Sequence, residues 1–225
     1  MIVRVDHLLI GAVAPLGHQG ALSGIDKRPS DQPLFLSPLG LTGDAQGDRR
    51  FHGGVDKALH HYPREHYDAW RAEGDPLGPV PGGFGENLST RGLTEADVAV
   101  GDVFRLGEAV VAVTQGRQPC WKLNLRFGHR DMARRVQASG RIGWYYRVVE
   151  PGLVRAGDSL ERLERPWPDW TIERLWRILY VRLLDPGELT AMAALEVLPD
   201  TWRAYARERL RTGLVENWTR RLDGP

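Results

Sequence analysis

One thiol is present in the chain, Cys120, in the stretch Arg117-Gln118-Pro119-Cys120-Trp121-Lys122-Leu123-Asn124 directly after a β-like run. Neighbouring cations such as Arg117 and Lys122 lower a thiol pKa, and the thiolate is the form that binds metals and attacks electrophiles. The chemistry open to Cys120 is soft-metal ligation, nucleophilic attack or carriage of sulfur. A lone cysteine is more often a small buried hydrophobe, so its surroundings have to decide. A single cysteine makes no intramolecular disulfide and no Cys-rich zinc site, and this usage points to a reducing, cytoplasmic compartment.

Two further stretches are rich in glycine and polar side chains: Gly43 to Tyr62, containing Asp44, Gln46, Asp48, His52-Gly53-Gly54, Asp56 and His60-His61, and Gly82 to Thr90, containing Gly85-Glu86-Asn87-Leu88. Paired glycines let a backbone approach a ligand and turn N–H groups toward anionic oxygens. Neither stretch matches a P-loop or a dinucleotide fingerprint, and on glycine content alone tight turns are the better reading. His52, His60, His61 and His66 cluster along the chain, yet there is no HExxH. The five-residue step from His61 to His66 also misses the register that aligns ligands on a helix. Structural or solvated histidines are the better reading than a zinc site.

The bulk composition narrows the partners. Thirty Lys+Arg face 29 Asp+Glu, a net charge of +1, whereas non-specific nucleic-acid binding rests on neutralising many phosphates. No stable nucleic-acid partner is expected. No run approaches the roughly 18 apolar residues of a membrane span. The apolar run Leu8 to Ala14 is too short, and too close to Arg4 and Asp6, for a secretion signal; a buried first strand fits better.

The elements that must position these groups fall into two parts. Between Met1 and about Arg165, short β-like runs alternate with turn signals, which suggests a barrel or curled sheet rather than βαβ units. Val103 to Leu106 and Ala109 to Thr114 flank Gly107-Glu108, a type II′ hairpin pair. Trp144 to Val149 alternates as a strand. Pro63 to Glu73 and Asp131 to Ser139 read as helices stopped by Gly74 and Gly140. Arg165-Pro166-Trp167-Pro168-Asp169-Trp170 reads as a linker. Three helical patterns follow: Ile172 to Tyr180 capped by Thr171, Glu188 to Leu198, and Thr201 to Leu210. Too short to bury Leu175, Trp176, Leu179, Trp202 and Trp218 among themselves, they are expected to dock on the first part or on a second copy, as in a homodimer. Arg203, Arg207, Arg209, Arg211, Arg220 and Arg221, interleaved with Glu208, Glu216 and Asp223, read as a solvated face.

Taken together, the motifs resemble a known family. Asp44-x-Gln-x-Asp-x₃-His-Gly-Gly-x-Asp-x-Ala-Leu-x-His-Tyr, then Gly-Glu-Asn-Leu, Gly101-Asp102-Val103 and Arg117-x-Pro-Cys120 are similar to the MOSC domain, the domain at the C-terminus of molybdenum-cofactor sulfurases. Order and spacing resemble the stand-alone, YiiM-like subgroup with its C-terminal three-α-helix extension. The resemblance implies a mainly β, barrel-like MOSC domain over 1–165 and a helical extension over 166–225. It also implies a pterin-based molybdenum cofactor, with Cys120 as the metal ligand. His52, Gly53, Gly54, Glu86, Asn87 and Arg117 fall in the segments expected to line the cofactor pocket. The implied activity is two-electron reduction of N-hydroxylated compounds, including hydroxylaminopurine-type base analogues, to amines. No ferredoxin-like cysteine cluster or flavin motif is present, so a separate reductase is the expected electron donor. A soft thiolate suits molybdenum, and glycine turns plus Arg117 suit a cofactor phosphate. Two rivals stand beside this reading. One is a carrier of the molybdenum cofactor or of sulfur, with Cys120 as ligand or persulfide; the other is a cysteine hydrolase pairing Cys120 with a histidine.

Overall fold

The computed structural model describes residues 1–17, 20–75 and 81–225. Seven strands close into a barrel. Around the ring run Ile2–Ile10, Ser159–Glu164, Val103–Leu106, Ala109–Gly116, Trp144–Glu150, Leu59–His61 and Leu88–Thr90, which returns to Ile2–Ile10. A closed ring with an odd number of strands cannot be antiparallel throughout. The mismatch is taken up where Leu59–His61 runs parallel to Leu88–Thr90 through the pair His61 and Leu88. The residue step of strand pairing sends alternate side chains inward, and Val5, Leu8, Leu59, Leu88, Phe104, Val111, Val113 and Tyr146 form the buried centre.

Local rules account for much of this. Ala109 pairs with Leu106 across Gly107-Glu108, and Gly107 has φ 54°, the left-handed value a type II′ turn requires. The helix Arg64–Ala72 starts after Pro63 and buries His66, Tyr67 and Trp70. Met132–Ser139 ends at Gly140 in the left-handed region. Thr171 caps Ile172–Tyr180 by accepting from the Arg174 N–H at 3.1 Å.

Other boundaries shift. The second helix of the extension spans Pro186–Ala194 rather than 188–198, because Asp185 caps it and Pro186 occupies its first turn. The third is longer than expected, Asp200–Thr212, ending at left-handed Gly213. Short helices at Lys122–Phe127 and Thr219–Asp223 carried no clear periodic signal.

The extension docks on the barrel. Ala109–Gly116 is buried on nearly every residue because its outer side is covered. At Gly116 an added Cβ would meet Trp202 at 3.3 Å and Ile172 at 3.4 Å. The presumed linker is fastened as well: Arg165 donates to Asp102 at 2.9 Å, and the Val100 N–H donates to the Trp170 carbonyl at 2.9 Å. The arginine-rich face is not wholly solvated. Arg209 is buried and closes the carbonyl end of Ile172–Tyr180, donating to Leu179 O at 3.1 Å and Leu183 O at 3.2 Å while pairing with Glu216 at 2.8 Å. Among the described residues no helix is long and apolar enough to cross a membrane.

Candidate functional site

Cys120 sits at the turn between the barrel strand Ala109–Gly116 and the helix Lys122–Phe127. The strand ends when Arg117 leaves the ladder, its N–H donating to Gly143 O at 3.0 Å. Pro119 cannot extend a ladder. Cys120 is 8% exposed. Its Sγ lies 3.8 Å from Nε2 of His52, which comes from the short helix Arg49–His52. Burial pushes the thiol up, but the His52 hydrogen bond and charge, the Arg117 charge and the Lys122 N–H outweigh it. They bring the thiol down to about 7 from an ordinary 9.0.

Around the thiol lies a pocket built from five sequence-distant segments. Ser23, Gly24, Ile25 and Lys27 form one wall, and Asp44 to Gly47 another. His52, Lys57 and His60 come from the same Gly43–Tyr62 stretch as the second wall, with Phe84, Gly85 and Asn87 beyond. Arg117, Lys122 and Tyr145 complete the lining around Cys120. The first two walls touch backbone to backbone: a Cβ on Gly24 would stand 1.9 Å from Ala45 O, so only glycine fits there. Gly82, at φ 120°, likewise lies against Lys27 O, 2.2 Å from where its Cβ would be.

The charges lining this pocket are unbalanced: Lys27, Lys57, Arg117 and Lys122 face a single carboxylate, Asp44. Lys27 and Asp44 form a buried ion pair. Burial pushes Lys27 down while Asp44 pulls it back. Arg117 is 5% exposed, and among the described residues its Nη1 is a buried donor with no acceptor; Nε2 of His60 is likewise buried and unpartnered. Burial, with the Arg117 charge beside it, holds His60 well below the usual imidazole range. A buried cation with a free donor calls for an anionic oxygen.

Beyond Cys120 the pocket opens into a wider groove of about 920 Å³, which shares His52, Lys57, Cys120, Lys122 and Tyr145 with it. Phe51, Trp121, Tyr205 and Trp218 give the groove aromatic walls, and Arg220 and Arg221 add charge. Cys120 stands at the junction of a cationic pocket and an open aromatic groove.

The residues expected at the site divide. His52, Asn87 and Arg117 join Cys120 in the lining. Asn87 is there as scaffold: its amide donates to Leu9 O at 3.1 Å and Asp44 Oδ2 at 2.9 Å, and its carbonyl accepts from the His60 N–H at 3.1 Å. Glu86, Gly53 and Gly54 are not in the lining. Glu86 is fully buried and turned onto its own loop, accepting from Gly82 N–H and Tyr67 O–H at 2.6 Å each and from Phe84 N–H at 3.1 Å. Gly54 is exposed at φ 99°, where an added Cβ meets nothing. Of the other histidines, His61 bonds Tyr146 and Thr90 inside the barrel, and burial holds it down at about 3. His66 bonds Glu95 at 2.8 Å. Lys27, Lys57, His60 and Tyr145 were missed as site residues. Asp44 at least opened a polar-glycine stretch, but nothing in the spacing of Lys27 marks it.

Two family profiles match the chain: the MOSC domain over residues 48–161, and the YiiM-like 3-alpha helix domain over 170–213. The chain belongs to the MOSC domain family. The chain is 48% identical to Protein YiiM of Escherichia coli (strain K12) over 149 residues, 65% of this chain and 66% of that protein. The aligned part thus spans just under two thirds of that relative. It is also 38% identical to a protein named Reductase from Gibberella moniliformis, over 73% of this chain but 30% of that one. The crystal structure of YiiM from Escherichia coli superposes with a TM-score of 0.80 at 36% identity, covering 99% of this chain and 98% of that one. The MOSC family is a molybdenum-cofactor-binding family. The Arg-x-Pro-Cys and His-Gly-Gly motifs fall inside its matched span.

Proposed function

We propose that this chain is a molybdenum-cofactor-dependent reductase of N-hydroxylated compounds, hydroxylaminopurine-type bases and hydroxylamines among them, and that Cys120 is its protein ligand to the metal. The observation that carries the reading is the placement of Cys120. The only thiol of the chain, lowered to about 7, stands where a cationic pocket meets an open aromatic groove.

The residues fit the group. Among the described residues no cluster of three or more His, Cys, Asp or Glu is arranged to hold a metal, so Cys120 alone suits a metal whose other ligands arrive with a cofactor. The free Nη1 of Arg117 and the cationic lining suit the oxygens of a phosphorylated pterin. When bound, such a cofactor supplies a metal centre that exchanges two electrons with the substrate.

The chain's own groups supply the rest. Cys120 offers a soft anionic donor, and Arg117 and Lys57 hold negative charge near it. His52, 3.8 Å from the thiol, is the titratable group placed to move a proton at that end of the groove. The aromatic walls stack a flat ring and exclude water from its faces. The balanced reaction is R–NHOH plus two electrons and two protons giving R–NH₂ and H₂O: the N–O bond breaks, and its oxygen leaves as water. The electrons come from a separate reductase in the cytoplasm.

The test is elemental analysis of protein from a host that makes the cofactor, with Cys120→Ser beside the parent. One molybdenum per chain and hydroxylamine reduction are expected in the parent. Both should be lost in the variant, with circular dichroism unchanged, because an alkoxide is a far poorer soft-metal ligand. Retained turnover in Cys120→Ser removes the claim. Metal-free protein carrying an extra sulfur on Cys120 would mark a sulfur carrier instead.

A further inference from the structure

The loop that presents Cys120 is gripped by residues a hundred positions away. Arg221 Nη1 donates to Pro119 O at 2.6 Å, and the Trp121 N–H donates to Arg221 O at 2.7 Å. These two groups flank Cys120, one on each side. Pro119 has no N–H, so its carbonyl is the only backbone group by which it can be held. Arg221 is itself anchored: Nη2 donates to Gln137 Oε1 at 2.7 Å on the helix Met132–Ser139, and its guanidinium lies 5.7 Å from the centre of the Tyr180 ring.

The rest of the short helix reinforces the grip. Asn124 Nδ2 donates to Leu222 O at 2.8 Å, and Asp223 takes two bonds from Arg134 at 2.9 and 2.6 Å. Gly224, at φ +101°, brings the backbone under the Trp121 ring, where a Cβ would stand 3.4 Å away. The segment Thr219–Asp223 lies outside both matched spans, 48–161 and 170–213.

We propose that Arg221 is a positioning residue: it fixes both peptide neighbours of Cys120 and so sets where the thiol points between His52, Arg117, Tyr145 and the groove. The segment Thr219–Asp223 is then part of the site. Its meaning for catalysis rests on the reading of Cys120 given above; the grip itself does not.

The test uses the full chain as Arg221→Met, Arg221→Lys and, as a control, Arg174→Gln, which breaks the Arg174–Glu188 pair (2.9 Å) of the extension. Amide exchange over residues 117–124, molybdenum per chain, and kcat and KM for hydroxylamine reduction are measured on each. In Arg221→Met the 117–124 segment should exchange roughly 10–100-fold faster, while the barrel strands keep their protection. Turnover should drop in kcat by about tenfold or more with KM little changed. Arg221→Lys can restore the bond to Pro119 O but not the second one to Gln137, so it should recover part of each effect. Three results overturn the proposal: wild-type exchange in Arg221→Met; faster exchange with molybdenum content and kcat unchanged; or the same changes in Arg174→Gln. If Arg221→Met fails to fold, Arg221→Lys against the parent decides on the same terms. A parent without molybdenum or turnover counts against the functional reading alone, and the exchange result then settles the positioning claim.

Discussion

His52 contributes most to lowering the Cys120 thiol, and replacing it should give a measurable shift. Burial pushes the thiol up, and the first two influences against it both come from His52, its hydrogen bond at 3.8 Å and its charge. His52→Ala leaves burial facing only Arg117 and one backbone N–H, so the thiol should return to its ordinary 9.0 or above. With a pKa of about 7, half of Cys120 is thiolate at pH 7; at 9.0 about 1% is. The difference is roughly fiftyfold in thiolate at pH 7, and the two-unit pKa gap behind it is worth about 2.7 kcal/mol. Because this is the only cysteine, alkylation of metal-free protein by iodoacetamide, followed by intact mass against pH, reports the thiolate directly. The parent profile should have its midpoint at about 7, and at pH 7 His52→Ala should react roughly fiftyfold more slowly. The same shift links to stability. A folded pKa below the unfolded one stabilises fully above the unfolded value, 9.0, and that contribution is lost as pH falls through about 7. The parent should therefore gain stability over His52→Ala between these two values as pH rises. A parent midpoint near 9.0, or superimposable profiles for the two proteins, would refute the reasoning.

Two packing predictions follow. Glu86→Ala leaves the Phe84 N–H and the Tyr67 O–H without their acceptor inside the protein and should cost about 3 kcal/mol or more in urea unfolding; a loss under about 1 kcal/mol would show that Glu86 does not hold this loop. Trp202→Ala removes a ring that is 2% exposed between the extension and the barrel. It should cost about 3–5 kcal/mol by the same measurement, and a near-neutral result would undo the account of how the extension docks.

Much of this protein could be read from short stretches. The hairpin at Gly107-Glu108, the start after Pro63, the stop at Gly140 and the Thr171 cap all follow from φ preferences and single hydrogen bonds within a few residues. Cys120 stood out through its own chemistry and neighbours, and the family through four motifs in order.

What the sequence could not determine depends on contacts between remote segments, which leave no periodicity to read. The barrel closes only because Ile2–Ile10 pairs with Ser159–Glu164 at the other end of the domain. Of four histidines close in sequence, His52 is the one hydrogen-bonded to the thiol, from 68 positions away. Glu86 and Asn87 are adjacent in one motif just before the strand Leu88–Thr90, yet Asn87 lines the pocket and Glu86 turns onto its own loop. Lys27 had no local signal at all, since its role exists only where burial forces it to pair with Asp44. Arg209 and Arg221 shared the charge pattern of a solvated face, and the docking of the extension turned one into a helix cap and the other onto the Cys120 loop. Backbone preferences act over a few residues and are written locally; desolvation and hydrogen-bond satisfaction act on whatever the closed fold brings together.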